Sequence, residues 1–413
     1  MALMVAELAT LMPDEGGYYV WVREALGPFW GVQEAWWSMG YSVGLLAIFP
    51  VLFVNYLTFF VPALAPAVGA PAGMGGLVRW FVAALVIFSA MAVNLLGARD
   101  VARSAKLSAT FVLGAFTMLV LAWLKRGHPL ETVSGLVARD LASNHKGALL
   151  MGLSIIVLNY SGWDNVSTYA AEVDQPQRNY PRAIGGALLA VVLSYLLPVI
   201  AGLSVTNEPA MWSSDAGWPV IAQLLGGRWL GSLLAAAGLV SMWALFNAQL
   251  LYVSRLPYVM ACDGWLPNVL AKVSPDTAVP QVAILFFCAI TALFAALSFA
   301  SLAVIVCLLN TAALTLEFLS LIVLRVRCPE AHRPFRVPGG WWGMSYVCLT
   351  PFAVAAVVLT ATLREWRSYP GQLFVVGAVV LSGVTLYFCR RSIAVPLSGA
   401  PVESAASSPS VMK

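Results

Sequence analysis

Residues 147–171 read GALLMGLSIIVLNYSGWDNVSTYAA, and this mostly apolar stretch indicates a membrane-spanning helix. It is long enough to cross about 30 Å of hydrocarbon as a helix. A polar run at residues 159–168, with Gly162 and the carboxylate of Asp164, interrupts the apolar sequence. We therefore predict a discontinuous membrane helix, because unwound backbone is tolerated at this depth only where it lines a cavity or meets a substrate.

The remainder of the chain has the same apolar character. Hydrophobic residues make up 60% of the sequence and charged residues 10%, whereas a soluble domain carries roughly a quarter charged residues. A water-soluble fold is excluded. Apolar stretches of about 20 residues recur, and they are too long for the strands of a membrane barrel. The predicted fold class is all-α integral membrane.

Ten full membrane spans are predicted, preceded by a partial span at residues 1–12. Residues 1–395 are predicted to form one transmembrane domain, and residues 396–413, rich in Ser, Ala and Pro, a disordered cytoplasmic tail. The ten spans lie near residues 28–60, 78–97, 105–124, 147–171, 183–204, 229–254, 281–299, 301–324, 342–363 and 371–389.

The basic residues predict the orientation in the membrane. Of the 23 Lys and Arg residues, 15 fall in one set of alternate connectors and 8 in the other. The richer set should face the cytoplasm, and it includes the C-terminal tail. We expect a multi-pass protein of the plasma membrane.

Several functional classes find no support in the sequence. The six cysteines lack CxxC spacing and the three histidines lack an HxxxH pair, so no metal or other cofactor is predicted. The net charge of +4 is small and scattered, which argues against nucleic-acid binding. No catalytic Ser/His/Asp order or phosphate loop is present, and we predict that the protein is not an enzyme.

Asp164 is the leading candidate for function. A carboxylate inside the membrane can carry a proton or act as counter-ion to a substrate ammonium, and the sequence does not decide between these roles. In a purely structural alternative, the polar run only hydrogen-bonds to a neighbouring helix. Aromatic side chains can stack on a cationic substrate. The predicted substrate-binding residues are Asn159, Tyr160, Ser161, Gly162, Trp163, Asp164, Asn165, Tyr41, Trp243 and Asn247, and the predicted proton-coupling residue is Asp164.

Two other carboxylates fall inside predicted spans. Glu34 precedes Trp36 and Trp37, which is typical of an interfacial carboxylate beside an aromatic belt, and a gating role is an equal alternative. Glu317 lies eight residues before Arg325, and we expect it to pair with a basic residue.

Four motifs together resemble the amino acid-polyamine-organocation superfamily, and within it the polyamine uptake and L-type amino acid transporters. The combination covers nearly the whole chain in the order found in the family. The motifs are EGGYYVWV at 15–22 with LGPFWG at 26–31; NYSGWDNVS at 159–167 with Ala171, Glu172, Val173 and Pro176; GWLP at 264–267; and LEF at 316–318 with RPFRVP at 333–338.

This resemblance implies a bundle of two inverted five-helix repeats and two closing helices, with the first and sixth spans broken at the substrate site. Residues 147–171 correspond to span six and residues 28–60 to span three. Residues 1–12 then correspond to the end of span two, so we expect the first transmembrane helix to be absent from this chain.

The resemblance also implies a function, namely proton symport of polyamines or amino acids across a lipid bilayer. In the polyamine branch, acidic residues stand where this chain has Leu45 and Gln249, which keeps a neutral or cationic amino acid as the alternative substrate, with its carboxylate at amides near Ser161 and Gly162. A truncated, non-transporting membrane protein is a further alternative. The connector at 61–77 contains no cysteine, so no disulfide-linked heavy subunit is expected.

Overall fold

The computed structural model describes residues 1–65, 76–125, 162–165, 167–168, 173, 175–206, 208–212, 217–275, 277, 279–297, 299–364 and 370–391. Every regular element within these ranges is helical. Short 3₁₀ turns lie at Pro62–Leu64 and Asn268–Ala271. The α-helices are α1 (Ala2–Leu11), α2 (Tyr18–Leu26), α3 (Pro28–Leu57), α4 (Leu77–Leu96), α5 (Ala98–Lys125), α6 (Pro176–Leu203), α7 (Pro209–Trp212), α8 (Gly217–Gly226), α9 (Arg228–Val253), α10 (Arg255–Cys262), α11 (Gln281–Phe294), α12 (Phe299–Arg327), α13 (Gly340–Arg364) and α14 (Pro370–Arg390).

Seven of the described helical segments are long and apolar enough to cross a membrane. They are Pro28–Leu57, Leu77–Leu96, Ala98–Lys125, Pro176–Leu203, Arg228–Cys262, Ser301–Arg327 and Pro370–Arg390. Each coincides with a predicted span. The chain is therefore an integral membrane protein that crosses the bilayer several times.

The other three predicted spans differ in how they relate to the structure. Helix α11, at the predicted span 281–299, has 14 residues, and α13, at the predicted span 342–363, has 25 residues. Most of the predicted span 147–171 lies outside the described residues, as do residues 392–413, so the broken helix and the disordered tail stay predictions.

Helix α3 lies at the centre of the bundle. Its most apolar window is 72% buried, whereas the corresponding window of α14 is only 6% buried. Helix α3 packs most extensively against α2, α9 and α12, and it also contacts α4, α11 and α14. The apolar side chains of α14 are thus left facing outward, as expected for a helix in contact with lipid.

The same helix–glycine–helix unit occurs twice in the chain. Gly27 separates α2 from α3, and Gly227 separates α8 from α9. Both glycines have positive φ, at 94° and 79°, a region that residues with a Cβ atom rarely adopt. Each ends the short helix in the same way, because its N–H donates to the carbonyl four residues earlier at 2.9 Å.

The two units also agree one turn later. A Cβ atom on Gly31 would lie 2.8 Å from Cβ of Arg23, and one on Gly231 would lie 2.3 Å from Cγ of Gln223. In both units a glycine at the start of the long helix therefore lets the short helix fold back closely. The two sets of positions are 200 residues apart in the sequence.

A buried ion network joins α1 to the end of α12. Arg325 donates from Nε to Oε1 of Glu7 at 2.8 Å, and its Nη2 contacts Oε2 of the same carboxylate. Arg333 Nε lies 3.3 Å from Glu7 Oε1, and the N–H of Val337 donates to Oε2 at 2.8 Å. The RPFRVP motif is thus held against α1 by one fully buried carboxylate.

A second network joins α2 to the turn after α10. Asp263 Oδ2 accepts from Tyr19 Oη at 2.6 Å and from Arg23 Nη1 at 2.7 Å. Burial, followed by the charge of Asp263, raises the pKa of Tyr19, so this hydroxyl keeps its proton and donates. Arg327 Nη1 also donates to the carbonyl of Ala25 at 2.9 Å, so the basic connectors that carry Arg23, Asp263 and Arg327 lie together on one face of the bundle. That this face is cytoplasmic stays a prediction.

Candidate functional site

The centre of α3 meets the segment that carries Asp164. The hydroxyl of Tyr41 lies 3.1 Å from Oδ1 of Asn165 and 3.5 Å from Oδ2 of Asp164. Asp164 is only 1% exposed and Tyr41 only 2%. Three of the predicted site residues, one on α3 and two in the polar run, are therefore brought together in the interior.

The chain around Asp164 turns through short-range backbone bonds. The N–H of Asn165 donates to the carbonyl of Gly162 at 3.3 Å, and the N–H and Oγ of Ser167 donate to the carbonyl of Asp164 at 2.9 and 2.6 Å. Each of these bonds spans three residues, which is the tighter 3₁₀ pattern. A tight turn of this kind can present the side chains of Asp164 and Asn165 between neighbouring helices.

The GGYY motif packs directly on this segment. The N–H of Gly16 donates to the carbonyl of Thr168 at 3.0 Å, and a Cβ atom on Gly17 would lie 2.0 Å from Oγ of Ser167. From the other side, Thr168 Oγ1 donates to the carbonyl of Tyr252 on α9 at 3.2 Å. The start of α2 and the end of α9 thus fix the position of the polar segment.

Two polar atoms at the site have no hydrogen-bond partner among the described residues. They are Oδ1 of Asp164 and Nδ2 of Asn165. Leaving a buried polar group unsatisfied costs about 1–3 kcal/mol, and more when the group is charged. An acceptor and a donor are therefore available side by side to a ligand that supplies the missing partners.

Glu34 and Glu317 belong to the same electrostatic environment as Asp164. Glu34 is 0% exposed and Glu317 1% exposed, and each interacts electrostatically with Asp164. Glu34 accepts a hydrogen bond from Ser38 at 2.6 Å through Oε1, while its Oε2 is unpartnered among the described residues. The interfacial interpretation of Glu34 does not fit this complete burial.

The expected pairing of Glu317 with a basic residue is not found among the described residues. Arg325, on the same helix α12, pairs with Glu7 instead, and no described Lys or Arg side chain forms an ion pair with Glu317. The spacing of these groups along α12 could be read from the sequence, but the neighbouring helix that each one faces could not.

Tyr18 is a site residue that the sequence did not single out. Its hydroxyl is fully buried, has no hydrogen-bond partner among the described residues, and interacts electrostatically with all three carboxylates. The only sequence signal for Tyr18 is its place in the GGYY motif.

The remaining predicted site residues lie elsewhere or are not described. Trp163 is half-buried against the main hydrophobic core. Trp243 donates from Nε1 to Oγ of Ser89 on α4 at 2.9 Å. Asn159, Tyr160 and Ser161 lie outside the described residues.

Asn247 joins three helices. Nδ2 of Asn94 on α4 donates to Oδ1 of Asn247 at 2.6 Å, and Nδ2 of Asn247 donates to Oγ of Ser104 on α5 at 2.8 Å. These described partners are polar groups of α4 and α5, and none of them is Asp164.

Comparison with known proteins agrees with this architecture. Residues 1–381 match the family model described as amino acid permease. A probable polyamine transporter of Arabidopsis thaliana is 31% identical over 94% of this chain and 76% of its own length. The polyamine transporter RMV1 of the same plant is 32% identical over 92% and 74%, and the polyamine transporter PUT1 of Oryza sativa subsp. japonica is 34% identical over 88% and 65%. The chain therefore belongs to the amino acid permease family of the amino acid-polyamine-organocation superfamily, a family of membrane transporters.

Proposed function

We propose that this chain is a secondary transporter that moves polyamines across a membrane together with protons. The observation that carries the proposal is the buried Asp164 carboxylate, which is positioned by Tyr41 through Oδ2 and has Oδ1 free of any described partner. A buried carboxylate is stabilised by a cation, and a substrate ammonium supplies both the charge and the missing hydrogen bond.

Tyr41 and Asn165 prepare the site for that ammonium. The Tyr41 hydroxyl contacts one oxygen of Asp164 and the side-chain oxygen of Asn165, so the other carboxylate oxygen keeps a defined direction. A preorganised site of this kind binds with a smaller loss of side-chain entropy. The names of the plant relatives support an amine substrate.

Proton coupling is proposed at the same carboxylate. In symport the proton and the amine are bound at the same time, so protonation of one Asp164 oxygen would leave the other oxygen to accept a hydrogen bond from the ammonium. Among the described residues, the titratable groups that interact with Asp164 are Tyr41, Tyr18, Glu34 and Glu317.

An amino acid is the second candidate substrate. The neutral residues Leu45 and Gln249, and a family whose model is described as amino acid permease, favour it. In that case the substrate ammonium binds Asp164 and the substrate carboxylate binds backbone amides near Ser161 and Gly162.

The finer architecture is part of the proposal. We propose the 5+5+2 inverted-repeat arrangement, and the repeated helix–glycine–helix units at Gly27 and Gly227 support it, because a repeat fold places equivalent units in both halves. A plasma-membrane location, a cytoplasmic C-terminal tail and the absence of a disulfide-linked heavy subunit are proposed from the sequence alone.

Transport by the purified, reconstituted chain tests the proposal. Labelled putrescine, spermidine and leucine are supplied to proteoliposomes with an inward proton gradient, with empty liposomes as the background. We expect saturable spermidine and putrescine uptake that collapses with a protonophore. Leucine uptake without polyamine uptake would indicate that the substrate is an amino acid and not a polyamine. The absence of any uptake would favour a non-transporting membrane protein.

A further inference from the structure

We propose that Glu34 and Glu317, with the hydroxyl of Tyr18, form additional ammonium positions beside Asp164, so that the site selects amines carrying two or more positive charges. This inference rests on the proposed function and deepens it, because it assigns the substrate class to particular side chains.

The first support is the state of the polar atoms. Oε2 of Glu34, Oε2 of Glu317, Oδ1 of Asp164 and the Tyr18 hydroxyl are all buried and have no hydrogen-bond partner among the described residues. Four unsatisfied atoms on four separate segments are costly if they serve only packing. An ammonium group has three donors and satisfies several such oxygens at once.

The second support is charge balance. The three carboxylates interact with one another, and like charges in a buried region repel strongly. No described Lys or Arg side chain forms an ion pair with any of them. Each further ammonium group of a polyamine can therefore stabilise one of these carboxylates in its ionised form.

The third support is the position of Glu34 on the same helix as Tyr41, which contacts Asp164. Glu34 and Tyr41 are seven residues apart on α3 and therefore share one helix face, at positions separated by about 10 Å along the helix axis. Among the described residues, no group of three His, Cys, Asp or Glu side chains is arranged to hold a metal ion. Charges spread in this way suit ammonium groups that are separated by methylene chains rather than one compact cation.

A zwitterionic amino acid fits this environment less well. Its carboxylate would enter a region that already holds three acidic side chains, and the repulsion would offset the gain at its ammonium. A rival role for Glu34 and Glu317 is proton transfer alone. That role predicts altered proton coupling with unchanged preference among amines, and the two possibilities are therefore separable.

The test is competition binding to the purified chain with three amines. Spermidine carries three ammonium groups and putrescine carries two. The third amine, the amino alcohol 4-aminobutan-1-ol, is putrescine with one ammonium group replaced by a hydroxyl, so it carries one. For Glu34→Gln and for Glu317→Gln we expect spermidine affinity to fall about tenfold to a hundredfold, because one charge-assisted contact is lost. Affinity for the amino alcohol should change less than about threefold, since its single ammonium binds Asp164.

Glu208→Gln is the matched control, because Glu208 is an exposed carboxylate on the connector before α7. Tyr18→Phe is a second variant, and it leaves every carboxylate in place. It should also lower the affinity for spermidine more than the affinity for the amino alcohol. Equal losses for all three amines, or no loss for spermidine, would overturn the inference. A wild-type chain that binds no polyamine would instead refute the proposed function on which it rests.

Discussion

The Tyr41 hydroxyl donates to Oδ1 of Asn165 at 3.1 Å and so ties the middle of α3 to the segment that carries Asp164. One side chain thereby couples the most buried helix of the bundle to the candidate site. The same hydroxyl lies 3.5 Å from Oδ2 of Asp164, and its removal affects both polar partners.

Tyr41→Phe should weaken spermidine binding by about threefold to tenfold, because a hydrogen bond of about 1 kcal/mol that positions the carboxylate is lost. The ring and its packing are retained, so the thermal unfolding midpoint should change little. Equilibrium binding checks the affinity, with Tyr346→Phe on the exposed face of α13 as the control. Unchanged affinity in Tyr41→Phe would remove Tyr41 from the site.

Gly17→Ala should displace the start of α2 from the Asp164 segment. The added Cβ would lie 2.0 Å from Oγ and 2.6 Å from the carbonyl carbon of Ser167, and Gly17 also has a φ of 41°. We expect uptake to fall at least about tenfold, with stability lowered by about 1–3 kcal/mol through overpacking.

Gly114→Ala is the control for this substitution, since among the described residues no atom outside the adjoining backbone of α5 lies within 4 Å of the added Cβ. There the change should be neutral or stabilising by about 0.5–1 kcal/mol, as usual in a helix interior. Wild-type uptake by Gly17→Ala would show that the GGYY turn does not position the site.

Glu7→Gln should destabilise the protein by about 3–5 kcal/mol, because it leaves the charge of Arg325 buried without its carboxylate. Unfolding in detergent micelles measures this, and the exposed carboxylate in Glu24→Gln should cost less than about 1 kcal/mol. If both variants unfold alike, the network at Glu7 does not hold α1 against α12.

Asn247→Leu should lower stability by about 1–3 kcal/mol, because it removes the side-chain hydrogen bonds that link Asn94 on α4 and Ser104 on α5 to α9. Amine affinity should change less than about threefold if Asn247 acts only in packing α4 and α5 against α9. The opposite result, lost affinity with unchanged stability, would place Asn247 in the substrate site as the sequence predicts.

The membrane helices were predictable because their signal is local. An apolar window of about 20 residues between charged connectors defines a helix such as α4 or α14 without knowledge of its neighbours. The structure brings Asp164 and Asn165 close to Tyr41, and their roles in substrate binding stay predictions. The repeated units at Gly27 and Gly227 also had a sequence signal, namely a second glycine four residues later in each.

The partners of the buried charges were not predictable from spacing. Glu317 and Arg325 are both on α12, yet Arg325 faces Glu7 and Glu317 faces the centre of the bundle. Helical periodicity gives the relative direction of two side chains, but the neighbouring helix is set by tertiary packing. For the same reason Glu34 looked interfacial although α3 is central.

The proposed role of Asp164 in amine binding and proton coupling is tested by measuring proton-driven spermidine uptake by Asp164→Asn in proteoliposomes. Asparagine keeps the size of the side chain and a contact to Tyr41 but removes the charge and the titratable proton, so uptake should fall to the level of empty liposomes. Asp100→Asn, at an exposed carboxylate paired with Arg103, should transport like the wild-type chain. Undiminished uptake by correctly folded Asp164→Asn would show that Asp164 neither binds the amine nor couples its transport to protons.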